Sequence, residues 1–186
     1  MLETHFAKEK FTYFGPELRP HFILSKYRIE GSALLCFRGA CEVKTDHLVD
    51  WEDRLQNDFI RAKEMLHFLG EFFGITLKEG IWIQRLIVSE ALAYLLNAGI
   101  KAERTGDDLF IEGRKLSVSI VTASPVSVLL HLGLNIDSEG APVKAIGLGE
   151  IFSEQQIQEF ADYLLSRFKE EYQSVNRAAV KVRPVI

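Results

Sequence analysis

Thr105-Gly-Asp-Asp-Leu-Phe-Ile-Glu-Gly-Arg-Lys-Leu-Ser-Val-Ser-Ile120, followed by His131-Leu-Gly-Leu-Asn-Ile136, is the stretch on which the fold turns. Gly106-Asp107 and Gly113-Arg114 are turn signals, and the short β-prone runs beside them make the stretch a hairpin. On a strand starting at Lys115, alternation puts Lys115, Ser117 and Ser119 on one face and Leu116, Val118 and Ile120 on the other. The plain reading of such a polar row is a half-exposed strand meeting water. Two details favour a cleft instead. The next run, Val126 to Ile136, is nearly all apolar and so reads as buried on both faces. Asp107 and Asp108 stand just upstream, where the hairpin brings carboxylates within range of Lys115, and a partly buried lysine near carboxylates is a site candidate.

Outward from the hairpin, the runs Lys101 to Arg104, Leu109 to Glu112, Lys115 to Thr122 and Val126 to Ile136 read as consecutive, mostly antiparallel strands. Before them, Trp82, Leu86, Val88, Leu92, Leu95 and Leu96 predict a helix over about Lys78 to Asn97, with Gly99 as its C-terminal stop. Phe59, Ala62, Leu66, Leu69 and Phe73 recur at three-to-four spacing and predict another helix over Asp58 to Phe73, capped by Asn57 or Asp58 and stopped by Gly74. Ser32 to Phe37 reads as a buried strand ending in a tight turn at Arg38-Gly39. After the strands, Ser153 and Gln156 form a capping box for a last helix that turns Ile157, Phe160, Ala161, Leu164, Leu165 and Phe168 inward. Pro184 ends any helical tail. With no repeat or linker, residues 1–186 read as one α+β unit, a mixed, mainly antiparallel sheet with helices packed on one face.

Composition sets bounds on function. Apolar residues make up 47% of the chain and charged residues 26%, ordinary for a globular protein. The longest apolar stretch, Ser119 to Leu134, is broken by Thr122, Ser124, Pro125, Ser127 and His131, so no membrane span is expected. Met1 to Lys10 carries Glu3, Lys8, Glu9 and Lys10 and has no signal-peptide pattern, which predicts a cytoplasmic location. A net charge of −4 with scattered Lys and Arg disfavours nucleic acid as a partner. Oligomeric state is left open, a homodimer included.

The remaining polar candidates each have a bland reading. His47, Asp50, Glu52 and Asp53 share an acidic loop that could hold a divalent cation, but such loops are usually only solvated. His67 and His131 lie among apolar residues, where a packed, hydrogen-bonded histidine is the commoner case, although His131 falls across from Lys115. Cys36 and Cys41 are too few for a disulfide framework. Cys41 would be a nucleophile only if Arg38 lowered its pKa, and small buried cysteines are commoner. Ser124-Pro125-Val126-Ser127 is explained by turn chemistry.

Asp107-Asp108-Leu109 and Arg114-Lys115-Leu116 resemble, at the same spacing, segments of biotin protein ligases, which carry Asn-Asp-Leu, a short turn, Arg-Lys-Leu-Ala-Gly-Ile and then a strand ending in Gly-x-Asn, here Gly133-Leu134-Asn135. In those enzymes and in lipoate ligases the lysine at the Lys115 position contacts the acyl group and phosphate of an acyl-adenylate, so the resemblance implies a catalytic Lys115. It also implies orienting or magnesium-holding roles for Asp107 and Asp108, and a pocket lined by Ser117, Ser119 and Asn135. Such a cation stabilises the charge that develops as a carboxylate attacks the α-phosphate. The ligases' Gly-Arg-Gly-rich adenylate loop has only Arg38-Gly39 in its place, and Ser117-Val118 replaces the small Ala-Gly after the lysine. Octanoyltransferases of this fold have a cysteine after the Gly-x-Asn strand, and none occurs from Ala141 to Gly149.

Cys36-Phe-Arg-Gly-Ala-Cys-Glu-Val43, His47-Leu-Val-Asp-Trp-Glu-Asp53, Met65-Leu-His-Phe68, Gly106-Asp-Asp-Leu109, Lys115-Leu-Ser-Val-Ser-Ile120, Ser124-Pro-Val-Ser127 and Lys181-Val-Arg-Pro184 extend a second resemblance over the whole chain, to the domain of unknown function 366 family. That resemblance implies the fold of class II synthetases and biotin/lipoate ligases and names no reaction. Two functional expectations follow. One is an ATP- and magnesium-dependent ligase or acyltransferase that activates a small carboxylate as an acyl-adenylate for an acceptor protein, with Arg38 and Gly39 at a phosphate. The other is a noncatalytic module that keeps the cleft and binds a ligand or partner.

Overall fold

The computed structural model describes residues 2–185. Its main sheet takes five strands: β1 (Glu3–Phe6), β2 (Ala33–Val43), β3 (Ile60–Phe72), β7 (Ser117–Ala123) and β8 (Val128–Asp137). They lie in the order β1-β2-β3-β8-β7, with β1 and β2 parallel and every other pair antiparallel. A smaller antiparallel sheet joins β4 (Ala102–Thr105), β5 (Asp108–Ile111) and β6 (Arg114–Lys115). The expected mixed, mainly antiparallel sheet is therefore present. Two long helices, α3 (Leu77–Asn97) and α4 (Glu154–Lys181), cover one face. Their buried residues, among them Ile87, Ala91, Phe160 and Leu164, share one apolar core with Phe68 and Leu132 of the main sheet and with Leu109 and Ile111 of the small one.

The opposite face of the sheet is covered differently. The chain between β1 and β2, with the short helix α1 (Phe22–Tyr27), closes a second core over Leu35, Phe37, Cys41, Met65 and Leu69. Gly39 makes this possible: a Cβ built on it would stand 1.8 Å from the Phe11 carbonyl oxygen, so only a glycine admits the crossing backbone. The tight turn expected at Arg38-Gly39 is absent. β2 runs straight through to Val43, with a register shift between Gly39 and Cys41.

The helix expected over Asp58 to Phe73 is also absent, because that segment is β3, the central strand of the sheet. Leu66, Phe68 and Phe72 enter the core beneath the long helices, whereas Ala62, Met65 and Leu69 enter the other core. A strand buried on both faces shows a continuous apolar run rather than alternation, and such a run also contains three-to-four spacings. Asn57, expected as a cap, instead turns the chain at φ 57°.

The helices at either side of the strand run stand as expected. Thr76 and Glu79 form a capping box for α3, and Ser153 and Gln156 form one for α4. All six of the residues expected to face inward on α4 are buried. On α3, Val88 and Leu95 are buried, but Trp82 and Leu96 are exposed. Glu71, buried on β3, takes hydrogen bonds from the His21 amide and the Ser127 hydroxyl, tying the start of α1 to the Ser124–Ser127 turn. Among the described residues, no helix is long and apolar enough to cross a membrane.

Candidate functional site

Where β7 and β8 meet the covering segment, a cleft of about 400 Å³ remains. Met65, Val118, Ile120 and His131 form its floor, Tyr13 and Val43 lie toward the covering segment, and Asp53 and Asp58 come from the far rim. The Ala141–Ala145 loop adds a third side, held there by pairing of Ala145 with Lys115. Thr45–His47 and helix α2 (Trp51–Leu55) give the rim its shape, with the Asp50 carboxylate accepting from the Glu52 and Asp53 amides as the α2 cap.

Lys115 and Asp108 stand on this cleft as an ion pair, Nζ to Oδ2 2.8 Å, both partly buried. The hairpin accounts for it. Lys115 is registered opposite Phe110, so Lys115, Phe110 and Asp108 share one face of the small sheet. Burial raises the Asp108 carboxyl above its usual range, and the Lys115 ammonium pulls it back only in part. Burial likewise raises Asp53, with Asp50 and Asp58 adding to the effect and Lys115 opposing it.

Ser117 and Ser119 do not continue a polar row from Lys115. The strand breaks at Leu116, which enters the core, and the alternation restarts on β7. Ser117 is buried and its Oγ accepts from the Leu109 amide at 2.9 Å. Ser119 Oγ donates to Asp107 Oδ2 at 2.8 Å and accepts from Gln84 Nε2 at 2.8 Å. Asp107 also takes Arg85 Nη1 at 2.9 Å, so its carboxylate is committed to α3 and the serine, while Asp108 orients the lysine. The serines and Asp107 border the cleft as framework.

Asn135 does reach the cleft. Its Nδ2 donates to the carbonyls of Lys115 and Ile146, at 3.3 and 3.2 Å, which fixes the amide's orientation and leaves the buried Oδ1 with no hydrogen bond among the described residues. Arg38 and Gly39 lie outside the cleft lining. The Arg38 guanidinium is bound by Glu64, at 3.1 Å from both Nε and Nη2, and by Glu154 at 2.6 Å. A cation so neutralised is not free for a phosphate.

Beneath the cleft, His67 and His131 are buried and joined, Nδ1 to Nε2 3.0 Å, and His131 stacks on Tyr13 with ring centroids 3.9 Å apart. His67 Nε2 lies 3.2 Å from the Gly39 carbonyl, which can only accept, so Nε2 carries the hydrogen. Nδ1 of His67 then accepts from His131 Nε2. Burial lowers His67 to about 4 and holds His131 well below its ordinary value, so both are neutral near pH 7.

The acidic-loop cation site is not assembled, since among the described residues no three His, Cys, Asp or Glu side chains converge as metal ligands. His47 Nδ1 instead meets the Phe14 carbonyl at 3.0 Å. Both cysteines are free and buried, and burial pushes the Cys41 thiol up to about 12, far from a nucleophilic thiolate. Gln84 was the missed framework residue. It lies in the buried α3 series Gly80, Gln84, Ile87, Val88, Ala91 and Leu95, and a lone glutamine on that row was the available signal.

This architecture is that of lipoate and biotin protein ligases. A bipartite lipoate protein ligase from Thermoplasma acidophilum superposes with a TM-score of 0.57 at 10% identity, over 91% of this chain and 84% of that one. A lipoate-protein ligase A bound with ATP gives 0.53 at 9% identity, over 90% and 86%. Residues 2–183 match the family described as Domain of unknown function (DUF366), and the chain belongs to it. A protein of unknown function from Pyrococcus horikoshi gives a TM-score of 0.94 at 35% identity, covering 100% of both chains. Uncharacterized protein MJ0805 from Methanocaldococcus jannaschii is 32% identical over 97% of this chain and 84% of its own length.

Proposed function

We propose that the cleft binds a small carboxylate through Lys115. The observation that carries this is the Lys115–Asp108 pair, a single oriented ammonium at the edge of an apolar floor made by Met65, Val118 and Ile120. Asp108 and the hairpin hold the lysine in place, so a ligand carboxylate meets a positioned donor, and charge-assisted hydrogen bonds of this kind are the stronger ones. The ligase-like fold, whose members include proteins solved with lipoic acid and with biotin, supports the same ligand class.

The residues present fit a binding module better than an adenylating enzyme. ATP brings a polyphosphate, yet with Asp107 paired to Arg85 and Asp108 to Lys115, the cleft lining still carries Asp50, Asp53 and Asp58 beside Arg61. Arg38, the expected phosphate ligand, is neutralised by Glu64 and Glu154.

A second reading, ATP- and magnesium-dependent transfer of the carboxylate to an acceptor protein, is favoured by the shared fold and by Lys115. The experiment that separates them is thermal unfolding against biotin, lipoate, octanoate and amino acids, each with and without ATP and magnesium, alongside pyrophosphate exchange. Binding raises the midpoint by mass action. The binding-module reading expects stabilisation by a carboxylate alone and no exchange; carboxylate-dependent exchange would replace it with the ligase reading.

A further inference from the structure

Asn135 is 5% exposed, borders the cleft, and has its Nδ2 committed to two backbone carbonyls, so its Oδ1 is an acceptor without a donor. A buried amide oxygen left unpaired is costly unless something satisfies it. A plain carboxylate has no donor to offer. Asp53 and Asp58 also line the cleft with no ion pair to either among the described residues; burial raises Asp53, and the Lys115 ammonium only opposes that rise. Asp108 and Lys115, 2.8 Å apart, present a minus beside a plus. A zwitterion laid against that pair in the opposite sense sets ammonium on aspartate and carboxylate on lysine. A divalent cation is the other way to supply positive charge, but among the described residues no three metal-ligating side chains converge.

We propose that the carboxylate held at Lys115 belongs to a ligand that also carries an ammonium group, received by Asp108, Asp53 and Asn135 Oδ1. The ligand is of the amino-acid class, with an apolar side chain over Met65, Val118 and Ile120. This rests on the reading that the cleft binds a small carboxylate, and it separates the chain's ligand from fatty acids and lipoate, which bear no cation.

The test is titration calorimetry of the full chain with leucine, phenylalanine and methionine. Each is matched to its deamino acid, isocaproate and hydrocinnamate among them, with octanoate and isoamylamine as further probes. At least one amino acid is expected to bind roughly tenfold or more tightly than its deamino partner, the worth of one charged hydrogen bond. Asp53→Asn, a change at the exposed rim, should shrink that preference by weakening the amino acid relative to its deamino partner, which loses no contact and should bind at least as tightly as to wild type. Equal affinity for the deamino acids or octanoate, lost in Lys115→Ala, would overturn the ammonium and leave the carboxylate reading standing. Binding that Lys115→Ala does not weaken, or no binding by any probe, would overturn both.

Discussion

Acid should loosen this fold through the His67–His131 pair. Both imidazoles are buried and neutral, and His67 stays so until about pH 4 because burial disfavours its charged form. In the unfolded chain each titrates near 6.5. Between those values the unfolded state binds protons that the folded state refuses, so stability is full above pH 6.5 and falls as pH drops toward 4. From pH 7 to pH 5 the loss from His67 is about 1.8 kcal/mol, and His131, held well below its ordinary value by burial, adds to it in the same direction. That is a large share of a typical stability of about 5–15 kcal/mol. Urea unfolding at pH 7, 6 and 5, on the wild type and on His67→Phe, isolates the effect, since the carboxylates titrate alike in both. His67→Phe starts less stable, having lost the bonds to Gly39 and His131. Its further loss between pH 7 and pH 5 should be smaller than the wild type's by about 1.8 kcal/mol, one histidine's share. Parallel declines in the two proteins would refute buried neutral histidines.

Other changes test the framework. Gly39→Ala drives a methyl into the Phe11 carbonyl, and overpacking against backbone should cost about 3 kcal/mol or more, read as a melting midpoint lower by roughly 6–12 °C. Ser153→Ala removes the α4 cap and should cost about 1 kcal/mol in urea unfolding, with Ser153→Asp near neutral. Asp107→Asn should leave the affinity of any bound carboxylate within about twofold, because Asp107 braces Ser119 and α3 while Asp108 holds the lysine; a tenfold loss in calorimetry would contradict that division.

What the sequence disclosed follows from which interactions are local. The capping box of α4 and its inward residues are read within a few positions, and they stand as expected. Lys115 and Asp108 meet because a hairpin joins neighbours in sequence. β3 was misread because a central strand covered on both sides lacks the two-residue period that marks a half-buried strand. Ser117 and Ser119 border the cleft, but they do not extend a polar row from Lys115, because a break at Leu116 resets the alternation and nothing in the residue pattern announces it. Arg38 drew a phosphate role from its place after a strand, yet its partners Glu64 and Glu154 lie on β3 and α4, far along the chain. The Asn135 oxygen, the His67–His131 bond and the Asp53 rim depend on strand order, which no short spacing encodes.

The central claim is that Lys115 binds a carboxylate in this cleft, and calorimetric titration of the best-binding carboxylate into wild type, Lys115→Ala and Lys115→Arg tests it most directly. Loss of a charge-assisted hydrogen bond should weaken binding by roughly tenfold to a hundredfold in Lys115→Ala, with partial recovery in Lys115→Arg. Equal affinity in all three proteins would contradict the claim.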